Sequence, residues 1–372
     1  MKIVFILISL LISVPSLAAP RLSREWARST LQKPHYAFRY FNRMAPIITD
    51  KLVIQGNAID GIKAFDRSSG HEKWSLNFKN GVEGGATTDG DKLYFGANNG
   101  LFYCVDVNTG SVVWTHPLNS ESLAQPLVQG NLVFHITSNN IVYSFNKNTG
   151  QSMWIDSTNS VKSVMTVRGQ TSPAYSKGIL YVGFSDGNFA AYNAQTGRKI
   201  WNKRIGDDKK FNDVDATAKV TDKCVLISSY ANSLYCLDKN SGSILWRHDE
   251  GAFNSVLVSD GKIFYPTGNG EIHILDGDSG KLLKKIIDLK GLSTEIVDFK
   301  DWIVYGESSG AIVLKNKKTL QTDQIFFSGR GLVARPVVDS KANEIYFLSN
   351  EANLFKLKLA QEKKVFPWSH RR

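Results

Sequence analysis

Apolar and polar positions alternate along this chain with period two, in short runs that come in sets. Lys92 to Val107 reads KLYFGANNGLFYCVDV, two alternating runs on either side of Asn98, Asn99 and Gly100. That period marks half-buried strands. Asn and Gly accept the positive φ of a tight turn, so the segment predicts a hairpin. A second turn at Asn108, Thr109 and Gly110 leads to a strand ending on Trp114, and an earlier strand is expected around Gly85 to Thr88. The unit is four antiparallel strands in about 40 residues, the size of one propeller blade. No helical period of useful length follows the first 19 residues, so the chain is expected to be all β.

The unit is copied. AFDRSSGHEKW (Ala64 to Trp74), CVDVNTGSVVW (Cys104 to Trp114), SFNKNTGQSMW (Ser144 to Trp154), AYNAQTGRKIW (Ala191 to Trp201) and CLDKNSGSILW (Cys236 to Trp246) share one phrase. The anchoring glycines Gly70, Gly110, Gly150, Gly197, Gly242 and Gly280 are 40, 40, 47, 45 and 38 residues apart, a period that signals an array. A degenerate seventh copy runs from Asp301 to Phe327, with Leu320 in the glycine position and no Trp. An eighth begins at Ala334 and runs through Glu344 to Leu359 without a clear fourth strand. His35 to Arg43 (HYAFRYFNR) is expected to supply that strand, since pairing the two ends of the chain removes an open sheet edge. The expected fold is an eight-bladed β-propeller of four-stranded antiparallel blades over residues 35–360, closed by the N-terminal strand. Seven blades is the alternative if residues 301–327 are irregular.

Trp74, Trp114, Trp154, Trp201 and Trp246 are expected to wedge between neighbouring blades, burying area that one sheet cannot bury alone. Asp66, Asp106, Asn193, Asp238 and Asp276 are read as residues that cap their own turns. Cys104 and Cys236 occupy the same place in their copies and read as packed strand residues. Cys224 lies on the strand expected to pair with the one carrying Cys236, which leaves a cross-strand disulfide open in an oxidising compartment.

Residues 1–19 carry one Lys, an apolar stretch from Ile3 to Ile12, Pro15 and a small-residue end at Ala18-Ala19, the pattern of a secretory signal peptide. Export of an all-β protein by this segment suits a bacterial periplasm. The net charge of +11 falls to +10 without Lys2 and favours an acidic partner or anionic headgroups over nucleic acid in that compartment. The arm at residues 20–34 and the tail at residues 361–372 concentrate part of the charge, and solvated terminal arms account for them equally well.

The strand, turn, strand, D-x-x-T-G-x-x-x-W pattern resembles the quinoprotein-type (PQQ-like) propeller repeat over roughly Met44 to Leu359. That repeat serves both quinoprotein alcohol dehydrogenases and the non-enzymatic BamB family, which belongs to the outer-membrane β-barrel assembly machinery. The dehydrogenases are longer and carry adjacent cysteines against the cofactor plus a Glu, Asn and Asp set for calcium. This chain has no Cys-Cys pair, and its seven histidines show neither metal-ligand spacing nor a nucleophile motif beside them. No catalytic residue, cofactor, metal or small-molecule substrate is therefore expected. A quinone-binding relative and a general interaction propeller remain the alternatives.

VKSVMTVRGQTSP (Val161 to Pro173) resembles the BamB family's apolar-Thr-apolar-Arg-Gly loop, with Met165, Val167 and Arg168 at the matching positions. FNDVDATAKV (Phe211 to Val220) resembles its Asp-Val-Asp stretch, with Asp213 and Asp215. In that family these loops dock the periplasmic POTRA domains of BamA. The resemblance thus implies a BamA-like partner, with unfolded outer-membrane proteins as possible clients. The spacing points independently to the same segments: each lies between one blade's terminal Trp and the next blade's first strand, and they account for the long steps of 47 and 45. Two such connectors are expected as neighbours on one face, where extended loops on a rigid scaffold carry binding. An ion pair of Arg168 with Asp213 or Asp215 is the internal alternative. Leu17-Ala18-Ala19-Pro20 offers no cysteine for acylation. Attachment to the outer membrane is therefore expected through the partner, unless the chain is a soluble paralogue.

Overall fold

The structure, a computed structural model, describes residues 20–33, 42–118, 120–158, 171–205, 213–230 and 233–361. Their strands form eight four-stranded antiparallel sheets. Blades 1 to 7 span residues 47–77, 86–117, 127–157, 174–204, 219–248, 257–286 and 297–327, each with its strands paired in chain order. Blade 8 contains Val337–Asp339, Glu344–Leu348 and Asn353–Gln361, with Pro20–Ser29 as its outer strand. First strands of successive blades touch one another and so surround the axis.

The burial pattern explains why the copies must stack. Second and third strands such as Leu132–Ile136 and Ile141–Asn146 are buried on both faces, whereas fourth strands such as Val112–Pro117 alternate toward solvent. Eight buried apolar clusters lie one in each seam between blades, for example Phe134, Val142, Val182 and Tyr192 between blades 3 and 4. No blade holds a core of its own, so stability resides in nearest-neighbour seams. Residues 297–327 form a regular seventh blade, which settles the count at eight.

The ring closes through the N-terminus, but by a segment other than the expected 35–43. Pro20–Ser29 pairs with Asn353–Gln361 from Pro20↔Gln361 to Ser29↔Asn353. Residues 35–41 lie outside the described set, and Asn42 and Arg43 belong to no strand. The described propeller accordingly begins at residue 20, and the supposed arm at 20–34 contains the closing strand. The reason is Trp26. Its register carries the same bulge, one step before the Trp, that precedes Trp74 in blade 1, so Pro20–Ser29 reproduces a genuine fourth strand. HYAFRYFNR has strand-forming residues but no Trp.

Six of the eight seams are fastened in one way. The turn glycine between third and fourth strands has φ near +70°, as at Gly110 (73°) and Gly150 (71°). A methyl group on Gly110 would fall 2.9 Å from the Trp74 ring, and one on Gly150 2.5 Å from that of Trp114. The Trp of one blade thus covers the turn of the next. Except at Trp246, the indole N–H donates to a carbonyl there, Trp74 to Val107 at 2.9 Å and Trp201 to Lys239 at 3.0 Å. Trp26 makes the same contact from blade 8 to blade 1, over Gly70 and to the Arg67 oxygen at 3.2 Å. The turns are held by their own Asx residues: Asp238 Oδ1 accepts the Asn240 and Ser241 N–H groups and the Ser241 hydroxyl. That hydroxyl first, then the two N–H groups, hold Asp238 below the usual carboxylate range.

Candidate partner-binding site

The connectors from each fourth strand to the next first strand emerge on the face that also carries the hairpins between second and third strands. Hairpin and connector are tied by main-chain bonds: Asn98 N–H to Gly81 O at 3.1 Å, Tyr230 N–H to Asp213 O at 3.0 Å, and Ser308 N–H to Leu292 O at 2.9 Å. Successive connectors are tied in turn around the axis. Gln125 N–H donates to Ser172 Oγ at 2.9 Å, Ser255 Oγ to Thr217 O at 2.8 Å, and Asn254 Nδ2 to Ser293 O at 2.7 Å. This face is a continuous polar-bonded platform, rigid enough to position whatever projects from it.

Three connectors are longer than the others: residues 30–46, which lead from blade 8 to blade 1 and carry Arg43, and the two that follow blades 3 and 4. The latter two concern the predicted site. They bridge Thr158 to Thr171 and Ile205 to Asp213, and most of each lies outside the described residues, including Met165, Val167 and Arg168. Their described ends meet: Thr171 Oγ1 donates to Ala216 O at 2.9 Å, and Ser172 N–H to Thr217 Oγ1 at 3.2 Å. The connectors are therefore neighbours on one face.

Asp213 and Asp215 sit at this junction with their side chains turned inward, 0% and 8% exposed. Val214 N–H donates to Phe184 O at 3.3 Å and its side chain packs against Gly183, which draws the stretch into the crevice between blades 4 and 5. Burial, then the neighbouring Asp213 charge, push Asp215 up to about 7, while Arg43 opposes the shift. Arg43 itself forms an ion pair with the buried Glu83. The Asp-Val-Asp stretch is thus a buried acidic pair at the foot of the connector rather than a solvent-facing one. Sequence reading missed Arg43 and Glu83, because no periodic signal links two charges on different connectors. It also missed Tyr230, 37% exposed at the blade 5 hairpin with its ring 6.3 Å from that of Phe253 on the next connector.

Other clusters are self-contained. Among the described residues no three His, Cys, Asp or Glu side chains are placed to hold a metal ion. Cys224 and Cys236 are joined as a disulfide and Cys104 is buried alone. These residues do not fit a quinone and calcium centre of the dehydrogenase kind. Ser122 Oγ lies 2.6 Å from His135 Nε2, but both are fully buried, and burial holds His135 down at about 3. In the cleft between blades 8 and 1, Arg67 pairs with Asp339 and Glu344 while Lys356 pairs with Glu25 and Glu344, which staples the closure.

The family model described as outer membrane protein assembly factor BamB matches residues 60–286. The BamB of Salmonella typhimurium is 31% identical over 288 residues, 73% of this chain and 73% of that protein. The crystal structure of BamB from Moraxella catarrhalis superposes with a TM-score of 0.76 at 21% identity, covering 91% of this chain and 99% of that one. Quinohemoprotein alcohol dehydrogenase from Comamonas testosteroni superposes at 0.74 with 12% identity, over 94% of this chain and 78% of its own, a likeness of fold alone.

Proposed function

The chain belongs to the BamB family of outer membrane protein assembly factors, and on that premise we propose that it is a non-catalytic scaffold of barrel assembly that docks the POTRA domains of a BamA-like protein on its connector face. The observation that carries the reading is the junction of the long connectors after blades 3 and 4, bonded from Thr171 to Ala216. It brings the described end of the connector that carries Met165, Val167 and Arg168 beside the connector holding Asp213 and Asp215. Apolar side chains and an Arg at the first connector, with exposed Tyr230 next to the second, give a partner an apolar centre with charges that fix orientation. Buried Asp213 and Asp215 act by shaping the second connector. The site then works on the periplasmic side of the outer membrane, with attachment supplied by the partner.

A pulldown from detergent-solubilised envelope tests this with wild type and the double variant Arg168→Glu, Tyr230→Ala, Tyr230 lying outside the blade strands. Recovery of a POTRA-containing protein is expected to fall at least about tenfold, the loss of one or two central contacts. Equal recovery by the folded variant removes the proposed contact. No POTRA protein with wild type removes the assembly role.

A further inference from the structure

The seam between blades 5 and 6 carries a chain of titratable groups that neither the Trp fastening nor the docking reading uses. His248 ends the fourth strand of blade 5 (Ile244–His248), and its Nε2 lies 2.9 Å from Nδ1 of His273 on the third strand of blade 6 (Ile272–Asp276). His273 is 2% exposed. Its Nε2 lies 2.7 Å from Glu271 Oε2, which also accepts Lys285 Nζ at 2.9 Å. A ring nitrogen facing a carboxylate carries its proton, so in the neutral pair His273 Nδ1 is the acceptor and His248 Nε2–H donates to it.

That arrangement takes up one proton without rearrangement of heavy atoms. His273 then donates from both nitrogens, while His248 moves to its Nδ1–H tautomer and accepts through Nε2. A second proton has no such solution. Both rings become donors only, two N–H groups oppose each other across 2.9 Å, and Glu271 is already shared with Lys285.

We propose that the His248 and His273 pair is an acid-sensitive latch on the blade 5 to blade 6 seam, closed while the rings hold at most one extra proton and opened when both are protonated. Opening releases the adjoining connector and hairpin. These are tied to the latch because Ser233 Oγ donates to Asp249 Oδ1 at 3.2 Å and Asn269 Nδ2 to Glu250 Oε1 at 2.8 Å. The latch therefore lies on the platform beside Tyr230 and Asp213.

The groups facing the pair set its balance. Burial first, then the His273 charge, hold His248 below its ordinary value; Glu250 and Asp249 pull it up, and Lys285 pushes it further down. Around them stand Arg247, paired with Asp249 at 2.9 Å, and Tyr235 and Tyr265 on flanking strands, Tyr265 donating to Glu250 O at 2.7 Å. A depressed histidine binds its proton more readily in the unfolded chain. Its contribution to stability is thus full above about pH 6.5 and is lost as pH falls through the folded value.

Amide exchange of the full chain between pH 7.5 and 5.0, corrected for intrinsic rates, tests the latch. Opening at residues 234–237 and 250–256 is expected to rise about tenfold per unit of depression relative to blade 2, and the increment is expected to vanish in His248→Phe. The same increment in wild type and variant, or a uniform rise over all blades, overturns the proposal. Should His248→Phe fail to fold, NMR titration of the wild-type imidazoles decides. Two-step curves in which each ring senses the other support the latch, and independent single steps overturn it.

Discussion

Where the Trp is lost from one blade, the glycine it covers is lost from the next. Lys284 stands in the Trp position of blade 6 and is exposed, and Leu320 stands in the glycine position of blade 7 with φ of 60°. Among the described residues no indole lies over that turn, so a side chain fits there, and Leu320 packs into the seam cluster with Ile286 and Ile303. A left-handed conformation costs a Leu about 1–2 kcal/mol, which its burial offsets. The two residues are therefore one unit. Leu320→Gly alone is expected to lose about 1–2 kcal/mol, the lost side-chain burial outweighing the relieved backbone. Lys284→Trp alone places an indole against Leu320 and also destabilises. The double variant is expected to recover the loss, with a coupling of about 1–3 kcal/mol in a double-mutant cycle read by urea unfolding. Additive losses would show that Trp and Gly do not pair across the seam.

At the scale of the strand, closure depends on one element drawn from the far end of the chain. Arg28 adds to the Trp26 contact by donating from Nε to Gly70 O and from Nη2 to Ser69 O, each at 2.8 Å. Trp26→Ala is expected to cost about 3–5 kcal/mol, as for a buried aromatic, and to lower the urea midpoint far more than Arg28→Ala. An equal, small effect of both would mean that backbone pairing alone closes the ring. This strand also marks the limit of what the sequence disclosed. Blades 1 to 5 were legible because Asx turn, glycine and Trp recur together, each required by the turn or by the neighbouring blade, and blade 6 because it keeps the Asx and the glycine. Blade 7 kept its alternation after losing Gly and Trp, and so remained countable. Pro20–Ser29 lacks a preceding turn and is rich in charge, so it read as a solvated arm, although Trp26 was the available signal. The adjacency of the long connectors after blades 3 and 4 followed from their spacing. The inward turn of Asp213 and Asp215 did not, because burial there depends on Phe184 and Gly183 of another blade.

For the whole molecule, the ring fixes an architecture without fixing its use, since a redox enzyme superposes on it at a TM-score of 0.74 with 12% identity. The distinction must lie in side chains that a cofactor would touch. Cys224 and Cys236 are twelve residues apart in sequence, bonded from the residue before Val225–Ser228 to the neighbouring strand Leu234–Leu237 and buried in the blade 5 to blade 6 seam cluster rather than on the connector platform. They cannot flank a planar quinone as neighbours in the chain do. The buried carboxylates Asp215 and Glu83 on the connector face lie beside Arg43, a cation where a calcium site needs converging oxygens. Purified protein dialysed against pyrroloquinoline quinone and calcium is therefore expected to retain no quinone absorbance and to reduce no dye when alcohol is added. Stoichiometric retention of the quinone would place a ligand within the ring and overturn the scaffold reading, whatever the pulldown recovers.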